Sequence, residues 1–157
     1  MDSSSISFTA LYTGHVWYAN EMSESFLTSP AGHALYWAMQ PVEYAARKVV
    51  GVNIIETLLQ RHQILDYRLE HLIRDHGVTQ VLEIACGLSP RGLRFSRRYP
   101  QLRYLEADLP GMVARKRELL RQHEALSGHH DVIPCNFFEK DTPAALETIL
   151  RERFDTS

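Results

Sequence analysis

Cysteine is scarce in this sequence. There are 2, Cys86 and Cys135, far apart along the chain. That spacing excludes a disulfide framework, and no CxxC pair points to zinc. Two isolated thiols fit a reducing, cytoplasmic compartment. An excess of positive charge is also missing: 17 Lys and Arg stand against 19 Asp and Glu, a formal net charge of -2. Nothing global therefore draws the chain to nucleic acid or to an anionic membrane surface. No window approaches the roughly 20 apolar residues of a membrane span. The opening MDSSSISFTA has no basic n-region and leads into no long apolar run, which argues against a signal peptide. Internal repeats are absent. So is G-x-x-x-x-G-K-[ST], which excludes a P-loop nucleotidase. What is there is 157 residues at 45% hydrophobic, enough for one globular core.

The chain divides in two by pattern. Residues 1–77 show no clear strand and read as a helical N-terminal cap. SPAGHALYWAMQPVEYAARKVV mixes aromatic and small residues, and Pro41 predicts short helices broken near it. NIIETLLQRHQILDYRLEHLIRDHG is a stronger helix. Leu58, Leu65, Leu69, Leu72 and Ile73 fall close to one stripe, with Asn53 to cap the start and Gly77 after the end. The apolar spacing slips at His62, which predicts a bend there. Over residues 78–157 the period changes. VTQVLEIAC, LRYLEAD and DVIPCNFF read as strands. SPRGLRFSRRYP, GMVARKRELLRQHEALSG and TPAALETILRERF read as the helices after them, the second ending at Gly128. Short connections and strict alternation are the signature of a parallel sheet in an α/β fold.

The turn after the first strand, in VLEIACGLSPRGLRF, is the first functional signal. Gly87 can take a positive φ and let a ligand approach the backbone. Ser89 is a good N-cap and Pro90 suits the first helical position, so the helix should start at 89 or 90. Ligands of open α/β sheets bind at this carboxyl end. Glu83, inside an apolar strand, needs a cation or donors; a ligand amine or a neighbouring arginine would serve. The second strand ends in two acids, Glu106 and Asp108, on one face. An acid at this distance past a glycine turn can accept from ribose hydroxyls. Asp108, beside the turn at Pro110, is the better candidate; a solvated strand end is the bland alternative for each.

These residues, LEIACG followed by LEADLP, resemble the class I S-adenosylmethionine-dependent methyltransferases. More narrowly they resemble the leucine carboxyl methyltransferase-like family, over roughly residues 50–140. The resemblance implies a Rossmann-like α/β half-sheet of parallel strands 1–3 behind the helical cap, with S-adenosylmethionine as cofactor. It implies methyl transfer to a small-molecule hydroxyl or carboxyl oxygen, with no acceptor or catalytic base named. By the same resemblance Arg61 meets the cofactor carboxylate, Gly87 is the close-approach glycine, and Asp108 is the ribose acid. Asn136 stands where a polar side chain meets the adenine amine, and Glu83 and Ala85 complete the pocket.

The sequence departs from that family in three places. Ala85 replaces a common glycine, a small change in volume. Ser89 stands where many relatives carry Asp. The family's sheet has seven strands in the order 3-2-1-4-5-7-6, whereas three are visible here, so the chain reads as a truncated N-terminal portion. The first strand would then leave Val81, Leu82 and Ile84 on an open edge, inviting self-association or a complementing chain. A catalytically inactive binding module or half of a split protein is the alternative. An NAD-dependent oxidoreductase fragment is a third, disfavoured because Ala85 spoils G-x-G-x-x-G.

Other features have plainer readings. The 8 histidines lack metal-ligand spacing and read as solvated or capping groups. Aromatics near Tyr12, Trp17 and Trp37 can line an acceptor pocket or pack a core. Cys86, without a partnered histidine, reads as a small apolar residue.

Overall fold

The computed structural model describes residues 8–136, 138–140 and 142–154. They form two compact units: Phe8–Val78 with Leu88–Arg91, and Thr79–Gly87 with the described residues from Gly92 onward.

The first unit is helical. Helix α1 spans Phe8–Ala19, α2 Pro30–Val49 and α3 Ile54–His76, with a short 3-10 turn at Ser25–Leu27. Helices α1 and α2 meet where side chains are absent: a Cβ on Gly32 would sit 2.5 Å from the Leu11 carbonyl oxygen. Ser29 caps α2, its Oγ accepting from the Gly32 amide at 3.0 Å, and Pro30 opens the first turn. The expected break at Pro41 does not occur, and α2 is continuous through it. Both flanks are tied down. Gly32 packs on α1 before the proline. Glu43 after it accepts from the Tyr12 hydroxyl at 3.2 Å and from the Ile54 amide at 3.1 Å. Tertiary contacts thus outweigh the backbone bond that proline forgoes. Helix α3 matches its expected caps: Asn53 Oδ1 accepts from Glu56, and Gly77 ends it at φ 66. Its apolar stripe is not a buried seam. Ile73 is buried, but Leu65 and Leu72 are exposed, and the residue it buries beside Ile73 is His62.

The second unit is a parallel sheet. Strand β1 spans Gln80–Ile84, β2 Arg103–Asp108 and β3 His130–Pro134, in the order β1-β2-β3. Gln80 pairs with Arg103, and Tyr104 with His130. The sheet's two faces differ. Leu105, Ala107, Ile133 and Cys135 pack with Ile149 of α6 (Leu146–Arg153) in an apolar core. Burying each large aliphatic there contributes roughly 1.5–3 kcal/mol. Tyr104 and Glu106 point to the opposite face, where α5 (Pro110–Gln122) lies against β2 and β3.

Several ends move. Helix α4 is Arg91–Arg98, one residue later than expected: Ser89 Oγ accepts from the Arg91 amide at 3.2 Å, and Pro90 precedes the first helical residue. Helix α5 stops at Gln122, well before Gly128, because Glu124 turns into the left-handed region at φ 49 and the Ala125 amide donates back to Leu120. Strand β3 ends at Pro134, so Asn136 lies in a loop, and Phe137 falls outside the described residues. Helix α6 begins at Leu146, after a turn in which the Ala145 amide donates to Thr142.

Candidate functional site

The turn leaving β1 has two left-handed residues, Ala85 at φ 53 and Gly87 at φ 52. They swing the backbone across the end of β2, where the Gly87 amide donates to Asp108 Oδ2 at 2.7 Å. Asp108 Oδ1 accepts from its neighbour Leu109 at 2.8 Å. The Cys135 amide donates to the Asp108 carbonyl at 2.8 Å, so Asn136 follows directly. Gly87, Asp108 and Asn136 therefore stand at the carboxyl ends of three adjacent strands. A carboxylate has about four acceptor sites. Asp108, half-buried, keeps capacity for further donors beyond the two amides.

Size is not what matters at Ala85. Its methyl group is exposed, but its backbone occupies a region that costs an L-residue roughly 1–2 kcal/mol. The glycine common in the resembled family is the residue that pays no such penalty. Glu83 has a partner within the sheet: the Tyr104 hydroxyl donates to its Oε2 at 2.8 Å. Asn136 is engaged locally, its Oδ1 accepting from Phe138 and its Nδ2 donating to Glu139. Arg61 belongs to the helical unit, exposed on α3. Cys86 is buried, which pushes its thiol well above the ordinary range, so it stays a neutral thiol.

The two acids of β2 have separate fates. Glu106 is 0% exposed and not at a solvated strand end. Lys116 Nζ donates to its Oε1 at 2.8 Å, and His130 Nε2 lies 3.4 Å from its Oε2. A Cβ on Gly92 would come within 2.4 Å of Glu106 Oε1, so glycine there makes room for the carboxylate. Burial pushes the Glu106 carboxyl up, but the Lys116 ammonium and His130 outweigh it and hold it below its usual value. Burial would lower the Lys116 pKa, and the surrounding acidic groups, Glu106 among them, raise it instead. The sequence signals for this cluster, a lysine on α5 and a glycine on α4, carry no spacing rule.

The helical unit contains a second buried cluster. Arg91 Nε donates to Asp66 Oδ1 at 2.6 Å, and its Nη2 donates to His62 Nδ1 at 2.9 Å. The Trp17 ring packs on His62 with centroids 4.9 Å apart. The reading of all histidines as solvated or capping therefore fails for His15, His62 and His130, which are buried. Tyr12 and Trp17 are packing residues, held by Glu43 and His62 respectively.

A family model described as leucine carboxyl methyltransferase matches residues 17–157. No curated protein and no solved structure matches the chain.

Proposed function

The chain belongs to the leucine carboxyl methyltransferase family, whose members are S-adenosylmethionine-dependent methyltransferases, and we propose that its β1 turn, Asp108 and Asn136 form the cofactor pocket. The observation that carries this reading is the Gly87–Asp108 bond, which sets a half-buried carboxylate with spare acceptor capacity beside a side-chain-free backbone. Those residues fit the cofactor's ribose. Asp108 would accept from its hydroxyls, Gly87 would admit its close approach, and Glu83 and Ala85 would line the pocket. Asn136 would meet the adenine amine and Arg61 the cofactor carboxylate. When bound, S-adenosylmethionine supplies an activated methyl group on a sulfonium. The chain's own part is to bind, orient and exclude water.

The acceptor we propose is a small-molecule hydroxyl or carboxyl oxygen. The free, buried thiols of Cys86 and Cys135 suit a reducing, cytoplasmic setting. A second reading rests on β1. Among the described residues it pairs with β2 alone, and Ile84 is 46% exposed. We propose that this open side receives a further strand, from a complementing chain or a second copy.

Titration calorimetry with adenosylhomocysteine tests the pocket. Asp108→Ala and Gly87→Val should each weaken binding about ten- to a hundredfold. Wild-type affinity in both variants, with folding intact by circular dichroism, would remove the assignment.

A further inference from the structure

The loop from α1 to α2 folds back to form a cavity of about 350 Å³, lined by His15, Tyr18, Ser25, Thr28, Pro30 and His33 among others. That volume is in the range of small-molecule sites. Its deepest polar group is His15, which is 6% exposed. His15 Nδ1 is 2.9 Å from Thr28 Oγ1, and its Nε2 is 3.2 Å from His33 Nδ1. Thr28, His15 and His33 thus form one line of hydrogen bonds that runs from a half-buried hydroxyl through a buried imidazole to an exposed one. Rings pack around it: Tyr36 lies 5.2 Å and Tyr18 5.7 Å from His15, centroid to centroid, and Trp37 lies 6.3 Å from His33.

Chemistry narrows what such a cavity can hold. The imidazole pair has room for one added proton, because a second would set N–H against N–H. Burial, and then the nearness of His33, keep His15 below its ordinary pKa. The titratable groups in contact with His15 are His33 and Tyr36 of α2 and Tyr18 of α1. The loop contributes hydroxyls, and α3 meets α1 through His62 against Trp17. Among the described residues, the cavity's lining of hydroxyls, rings and a proline includes no carboxylate. A ligand with a single negative charge would match the one proton the pair has room for and accept from the outer imidazole. A phosphate ester would bring a second charge, which a pair with room for one added proton cannot match. The ring-rich walls favour a flat apolar body.

We propose that this cavity binds a small aromatic carboxylic acid as its carboxylate, with the anionic end on His33, which His15 supports from behind, and the ring against Tyr18 and Pro30. The proposal rests on the helical unit alone and stands apart from the cofactor pocket. Calorimetry without cofactor tests it, using 2-naphthoate and its neutral isostere 2-naphthamide as probes. The acid should bind at least about tenfold tighter than the amide, and His33→Gln should remove that preference. His33 is exposed, so this variant should keep its fold, which circular dichroism would verify. His15→Gln, which changes a buried residue, serves as a second variant. No naphthoate binding, equal binding of acid and amide, or an unchanged preference in His33→Gln would overturn the proposal. None of these results would alter adenosylhomocysteine affinity, which a parallel titration reads separately.

Discussion

At Ala85 a single methyl group is held in a left-handed backbone. Ala85→Gly should therefore raise stability by about 1 kcal/mol, after allowing for glycine's greater freedom in the unfolded chain. Denaturant melts would check it, and an unchanged or lower midpoint would contradict the strain. Lys116 is the larger case. Lys116→Met leaves Glu106 buried without its ammonium, which should destabilise by about 3–5 kcal/mol. The pH dependence should change as well. Glu106 sits below its usual 4.5 in the folded protein, so its stabilisation is complete above that value and is lost as pH falls below it. Without Lys116, burial would raise the carboxyl, and its contribution would instead fade as pH rises through the shifted value. Thermal melts from pH 4 to 8 on both proteins would show the two trends. Glu106 and Asp108 look alike in sequence, two acids two residues apart. What separates them is α5 and Gly92, which bring a lysine and an empty space to one of them and not the other. No local pattern encodes that meeting. Gly87 and Asp108 were legible because strand, turn and strand end are local signals.

Elements were more legible in kind than in extent. Alternating apolar runs and helical stripes identified all three strands and the helices between them, since periodicity reports which face is buried. Where they end depends on contacts the pattern does not contain. Helix α2 runs through Pro41 because Gly32 and Glu43 anchor its two sides. Helix α5 stops early because its chain reverses at Glu124. Strand β1 invites a measurement of its own. The Arg103 amide donates to the Thr79 carbonyl, so Thr79 faces β2, and by alternation Val81 and Glu83 do too. Leu82 and Ile84 then turn their amides away from β2. In dilute solution those two amides should exchange with deuterium far faster than those of Val81 and Glu83. Protection of all four would mean that β1 already has a second neighbour.

The whole molecule carries much apolar surface. On the helices Trp37, Tyr44, Val49, Ile64 and Tyr67 are exposed, and on the sheet Ile84 is. Surface of this kind marks a contact not yet made. Light scattering should show concentration-dependent association through the open side of β1. A stable monomer at all concentrations would refute the open-edge reading. The way the chain is shared between its two units has a different consequence. Leu88–Arg91 interrupts the sheet unit in sequence yet belongs to the helical one, where a Cβ on Gly14 would touch Leu88 at 3.1 Å and Arg91 bonds Asp66 and His62. The helical unit is thus a discontinuous object, and no single cut releases it whole. A fragment ending at Val78 would keep Asp66 and His62 but lose their guanidinium. Four residues stitch a later stretch of the chain into the helical unit, so that unit is complete only once the chain has been made through Arg91.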